Sequence, residues 1–201
     1  MDTLVWMADI TALPVVRLAA YADWLGESER QRHVRFIRPE RQRQFVAGRA
    51  LLRRVLGQLL GVEPGGVLLQ ERPGQAPVLV HPFRTDVSFS ISHSGSLVAC
   101  AASTATAVGV DIERIDPARD VLALAGQAFT PDAVTRLSAC LEEERVETFY
   151  RMWCLHEAGI KLGTGSAIGY VFMHAGFAGA LCCARALAAA PVPILVDLAC
   201  Q

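Results

Sequence analysis

Two short stretches of the sequence concentrate groups capable of chemistry. In GVDIERI, Asp111 and Glu113 stand one residue apart inside an apolar strand pattern, and side chains two apart on a strand point to the same face. Val110 and Ile112 take the opposite face, so both carboxylates project together from an apolar support. Two acids held close repel each other unless a cation lies between them, and oxygen-only ligands suit Mg²⁺. A strand end running into solvent would instead leave both simply hydrated. In WCLHEAGIK, Trp153, Glu157 and Lys161 recur every four residues and so share one face of a helix. An exposed Glu–Lys pair at that spacing is worth only about a few tenths of a kcal/mol. Lys161, however, is the sole lysine beside eighteen arginines. Lysine supplies a compact charge that can also release a proton, which guanidinium does not readily do.

Two further groups bear on anions. FSISHSG sets Ser92 and His93 at a strand end with Gly95 close behind, and hydroxyl, imidazole and backbone amides can together hold phosphate oxygens. A nucleophilic Ser/His pair is disfavoured, because there is no G-x-S-x-G elbow and strand neighbours face apart; a structural histidine is the other reading. Arg30, Arg32, Arg35, Arg38, Arg41 and Arg43 crowd together, with Arg49, Arg53 and Arg54 following. A solvated helix face accounts for most of these, and binding of a phosphorylated ligand or an acidic partner for the others.

The elements that must position these groups follow from periodicity. Thr3 to Ala8 reads as a first strand. From Pro39 to Leu60 apolar residues keep helical spacing, with Pro39 suited to the start and Gly61 to the end. VEPGGVLLQERPGQAPVLV, VSFSISHSG, SLVACAAS and AVGVDIERI alternate apolar runs with turns and predict a sheet region. Helices are predicted over Pro131 to Cys140 and Glu142 to Leu162, the second closed by Gly163 and Gly165. The charge-free run from Ala167 to Ala184 predicts buried strands or a core helix, with a membrane span as the alternative. The order of elements gives an α/β or α+β fold.

Composition narrows the class. With 201 residues, 52% of them hydrophobic, the chain can bury a substantial core, and a net charge of -1 argues against a general nucleic-acid binder. Six cysteines without a CxxC pair or Cys/His ligand spacing predict buried thiols in a reducing cytosol. The opening MDTLVWMADI lacks a basic segment, so no signal peptide is expected. A cytoplasmic protein follows from these features.

In combination, VGVDIE (Val108 to Glu113), WCLHEAGIK some forty residues on, SHSG from Ser92, FTPDA at Phe129 and the arginine-rich approach to GRALLRRVL resemble the surfactin-synthetase type of 4′-phosphopantetheinyl transferase. The likeness runs from about Arg30 to Gly165. It implies two similar α/β lobes with the active site between them, an N-terminal lobe over 1–105 and a shortened C-terminal lobe over 106–201, in a monomer. It further implies transfer of the phosphopantetheine arm of coenzyme A to a serine of an acyl or peptidyl carrier protein, with release of 3′,5′-ADP. By position, Asp111, Glu113 and Glu157 would hold Mg²⁺; Glu157, Lys161 and Asp111 would be catalytic; and Ser92, His93, Arg32, His156 and Lys161 would contact coenzyme A.

Three departures from the family pattern stand out. His156 replaces the lysine usual before the glutamate, Gln75 in GQAP replaces a turn cation, and the end after Gly165 is short and apolar. They raise the alternative of a weak or inactive relative that binds coenzyme A or a carrier protein without transfer.

Overall fold

The computed structural model describes residues 2–163 and 167–200. In chain order its strands are β1 (Thr3–Asp9), β2 (Leu68–Arg72), β3 (Gln75–His81), β4 (Ser88–Ser94), β5 (Leu97–Ser103), β6 (Val108–Arg114), β7 (Ile168–His174), β8 (Phe177–Cys183) and β9 (Ile194–Leu195). Its helices are α1 (Val15–Ala22), α2 (Glu27–His33), α3 (Pro39–Leu60), α4 (Val121–Ala128), α5 (Pro131–Ser138) and α6 (Glu142–Leu162).

The long helix α3 starts and stops where its chemistry dictates. Pro39 fills the first turn, where no N–H bond is lost, and Gly61 ends the helix in the left-handed region at φ 68°. The first lobe packs α3 against a sheet of order β4-β5-β1-β9, and the second packs α6 against a sheet of order β6-β8-β7. Strand alternation then joins them. On β5, Val98, Cys100 and Ala102 face α3, while Leu97, Ala99 and Ala101 meet Val108, Val110, Ile112 and Leu181 of the second sheet. The two sheets therefore lie face to face between two long helices, which explains why β5 is buried along its whole length.

Differences from the sequence expectations have local causes. The charge-free run after Ala167 forms the antiparallel hairpin β7–β8, with every residue of β8 buried. Among the described residues no helix is long and apolar enough to cross a membrane. The expected C-terminal lobe over 106–201 loses its last segment, because β9 pairs in parallel with β1 and Leu198 is buried in the first lobe's core. Helices α1, α2 and α4, of seven or eight residues, are too short to show a helical period clearly. Gly165, expected to help close α6, lies outside the described residues.

Candidate active site

The seam between the lobes is built by serines. Alternate residues of β4 present Ser88, Ser90, Ser92 and Ser94 toward β6. The hydroxyls of Ser88, Ser90 and Ser94 accept the backbone N–H groups of Val108, Val110 and Arg114, each at 3.0 Å. Ser92 is turned to a different use: its hydroxyl donates to Asp111 Oδ1 at 2.8 Å. A strand edge is thus capped by side chains, and the same strand meets both carboxylates of GVDIERI.

Helix α6 brings Lys161 to that point because Gly109 lets it lie directly on β6. A Cβ at Gly109 would fall 2.1 Å from the carbonyl oxygen of Ala158 and 2.6 Å from the amide nitrogen of Leu162, distances no side chain tolerates. With the helix seated, Lys161 Nζ donates to Ser92 Oγ at 3.0 Å, to the Val110 carbonyl at 3.2 Å and to Asp111 Oδ1 at 2.7 Å. Its ion pair is with Asp111, not with the helical neighbour Glu157. Asp111 is 3% exposed, so it is no hydrated strand end, and its buried Oδ2 has no hydrogen-bond partner among the described residues.

A cavity of about 560 Å³ opens beside this cluster. It gathers the expected residues Arg32, Ser92, His93, Asp111, Glu113, Glu157 and Lys161, together with Trp153 from the α6 stripe. Glu113 accepts the Ser94 hydroxyl at 2.7 Å. Burial pushes its carboxyl pKa up against that hydrogen bond, and the nearby charges of Asp111 and Glu157 push the same way while Lys161 opposes them. His93 is held below the ordinary imidazole range, first by loss of hydration and then by the Arg41 guanidinium, whose Nη1 lies 3.3 Å from Nδ1. Ser92 is buried, its hydroxyl bonded to Lys161 and Asp111.

Two expectations change. His156 is not among the residues lining the cavity; it stands on the exposed side of α6, edge-on to Phe129 at 5.7 Å. Arg49 and Arg53 do not lie on a solvated helix face. Arg53 is fully buried on Glu29 and the Val67 carbonyl, while Arg49 bridges Glu29 and Glu71 and lies 4.9 Å over the Phe45 ring. Glu71 in turn pairs with Arg32, fixing one cation at the cavity wall. Sequence reasoning missed Arg41 and Gln44 as cavity residues, although their spacing from Phe45 on a helix puts all three near one face.

Whether these residues suit a metal follows from their donors. Three carboxylates face one cavity, and Asp111 Oδ2 is a buried acceptor without a donor among the described residues. An oxygen-only set of this kind fits a hard divalent cation such as Mg²⁺. Among the described residues no group of three or more His, Cys, Asp or Glu side chains lies close enough together to hold a metal ion as it stands.

Comparison with known proteins places the chain. Residues 16–105 match the family model described as 4′-phosphopantetheinyl transferase, N-terminal, and residues 107–180 match that of the 4′-phosphopantetheinyl transferase superfamily. The 4′-phosphopantetheinyl transferase HetI of Nostoc sp. is 36% identical over 77% of this chain and 65% of its own length. AcpT of Escherichia coli O157:H7 is 35% identical over 64% of this chain and 61% of its own. Sfp of Bacillus subtilis is 28% identical over 68% of this chain and 64% of its own. The chain thus matches between 61% and 65% of the length of these three curated relatives.

Proposed function

The chain belongs to the 4′-phosphopantetheinyl transferase superfamily, and from that premise we propose that its inter-lobe cavity transfers the phosphopantetheine arm of coenzyme A to a serine of an acyl or peptidyl carrier protein. The observation that carries this reading is the convergence of Asp111, Glu113, Glu157 and Lys161 on one cavity at the seam. The protein acts as a cytoplasmic monomer, on carriers such as those of secondary-metabolite assembly.

Asp111, Glu113 and Glu157 would hold Mg²⁺, which when bound screens the charge of a pyrophosphate. Glu157 takes the proton of the carrier serine, directly or through one water. The serine oxygen forms a bond to the β-phosphorus, the bond to the bridging oxygen breaks, and 3′,5′-ADP leaves. Lys161 faces the charge that develops on the leaving phosphate. Its three N–H groups are spent on Ser92, Val110 and Asp111, so it turns to a phosphate by exchanging one of them, most simply the carboxylate that a phosphate oxygen resembles. Arg32 and His93 line the wall where the remaining phosphates of coenzyme A would lie.

The test is intact mass spectrometry of apo carrier proteins incubated with the chain, coenzyme A and Mg²⁺. The reading predicts a gain of one phosphopantetheine, abolished by a chelator. No gain on any carrier, with coenzyme A still bound, would instead favour the binding-only relative suggested by His156 and Gln75.

A further inference from the structure

The β4 serines are not equivalent. Ser88 and Ser90 stitch the seam by accepting N–H groups of β6. Ser94 accepts the Arg114 N–H and also donates to Glu113 Oε2 at 2.7 Å. A serine hydroxyl carries one proton. With the Arg114 N–H on its acceptor side, that proton is directed at the carboxylate. Ser92 repeats the arrangement, with Lys161 Nζ on its acceptor side and its proton on Asp111. Each carboxylate of the β6 pair, in the second lobe, is therefore held by a serine of the first.

Glu113 has somewhere else to go. It lines both the proposed catalytic cavity and a neighbouring one of about 620 Å³, whose walls include Ser94, Arg114, Asp116 and Arg119. On the catalytic side Asp111 and Glu157 repel it and Lys161 attracts it, so the Ser94 hydrogen bond is what fixes its direction. We propose that Ser94 is a positioning residue that fixes the Glu113 carboxylate at this divide, so that docking of the lobes sets the geometry of the acid. This inference rests on the transferase reading of the cavity.

Ser94→Ala tests it against Ser88→Ala, which removes a comparable seam bond without touching a carboxylate. Loss of a partner that orients a ligating carboxylate predicts that Ser94→Ala lowers kcat about tenfold or more, leaves KM for the carrier within about twofold, and weakens Mn²⁺ binding by a similar factor to kcat. The Mn²⁺ binding is read by electron paramagnetic resonance with coenzyme A and no carrier. Ser94→Thr keeps the hydroxyl and brings both readouts back to within about threefold of the wild type. Ser88→Ala lowers the melting temperature comparably but holds kcat and Mn²⁺ binding within about twofold. Matching kcat and Mn²⁺ binding in Ser94→Ala and Ser88→Ala overturn the positioning role. Glu113→Gln separates the two failures. If it abolishes transfer while Ser94→Ala is silent, only the positioning inference falls; if it transfers like the wild type, the reading of the cavity falls and the inference with it.

Discussion

Two charge clusters among the described residues are finished differently. In the first lobe, Arg53, Glu29, Arg49, Glu71 and Arg32 form a chain in which all four carboxylate oxygens accept at least one N–H. At the seam, Asp111 Oδ1 accepts both Ser92 and Lys161, but Asp111 Oδ2 has no donor among the described residues, and Glu113 and Glu157 face the same cavity. A buried polar group left without a partner costs about 1–3 kcal/mol. The closed cluster has used all its carboxylate oxygens, whereas the open one keeps acceptor capacity facing a cavity. The choice of cation follows the same division: the closed cluster uses guanidinium, with its fixed fork of donors, and the open one uses the chain's sole lysine.

The sharpest way to break this comparison is to damage the closed cluster. Arg53→Ala leaves the buried Glu29 with only Arg49 and the Gly26 N–H as partners and is expected to cost about 3 kcal/mol in urea unfolding; a loss below about 1 kcal/mol would show that the network is dispensable. Next in size is Gly109→Ala, which drives a methyl group into the backbone of α6 and is expected to cost about 2–3 kcal/mol. That variant should also speed modification of Cys154, whose thiol is buried between α6 and β8 and donates to the Ala178 carbonyl at 3.3 Å. Lys161→Arg in the open cluster should leave unfolding free energy within about 1 kcal/mol while lowering transfer about tenfold, because the planar fork does not reproduce a point charge among three acceptors. The smallest effect concerns thiols. A water-soluble disulfide reagent should modify only Cys140 and Cys200 quickly in the native protein, since the other four are buried and burial pushes the Cys183 thiol up to about 11.

Much of this was legible in the sequence, for physical reasons that differ by element. Helix α3 was readable end to end because Pro39, Gly61 and the spacing between Phe45 and Leu60 agree with one another. The shared face of Asp111 and Glu113, and of Trp153, Glu157 and Lys161, follows from strand and helix periods alone. The pairing of Lys161 with Asp111 was not readable, since it depends on how closely α6 approaches β6, and only Gly109 hints at that approach. Nor was the burial of Arg49 and Arg53, because an arginine reads as solvated until its carboxylate partners, Glu29 and Glu71, arrive from distant segments. The return of β9 to β1 was hidden for the same reason: a two-residue strand carries no period, and its place is set by the first lobe's sheet.

The most direct test of the central claim compares wild type and Glu157→Gln in one experiment, with melting temperature and intact mass of an apo carrier protein measured on the same samples with coenzyme A and Mg²⁺. The open cluster as reaction site predicts equal melting, one added phosphopantetheine with the wild type, and a rate lowered about a hundredfold or more by loss of the base. Transfer by Glu157→Gln at the wild-type rate would contradict the account and move the chemistry away from this cavity.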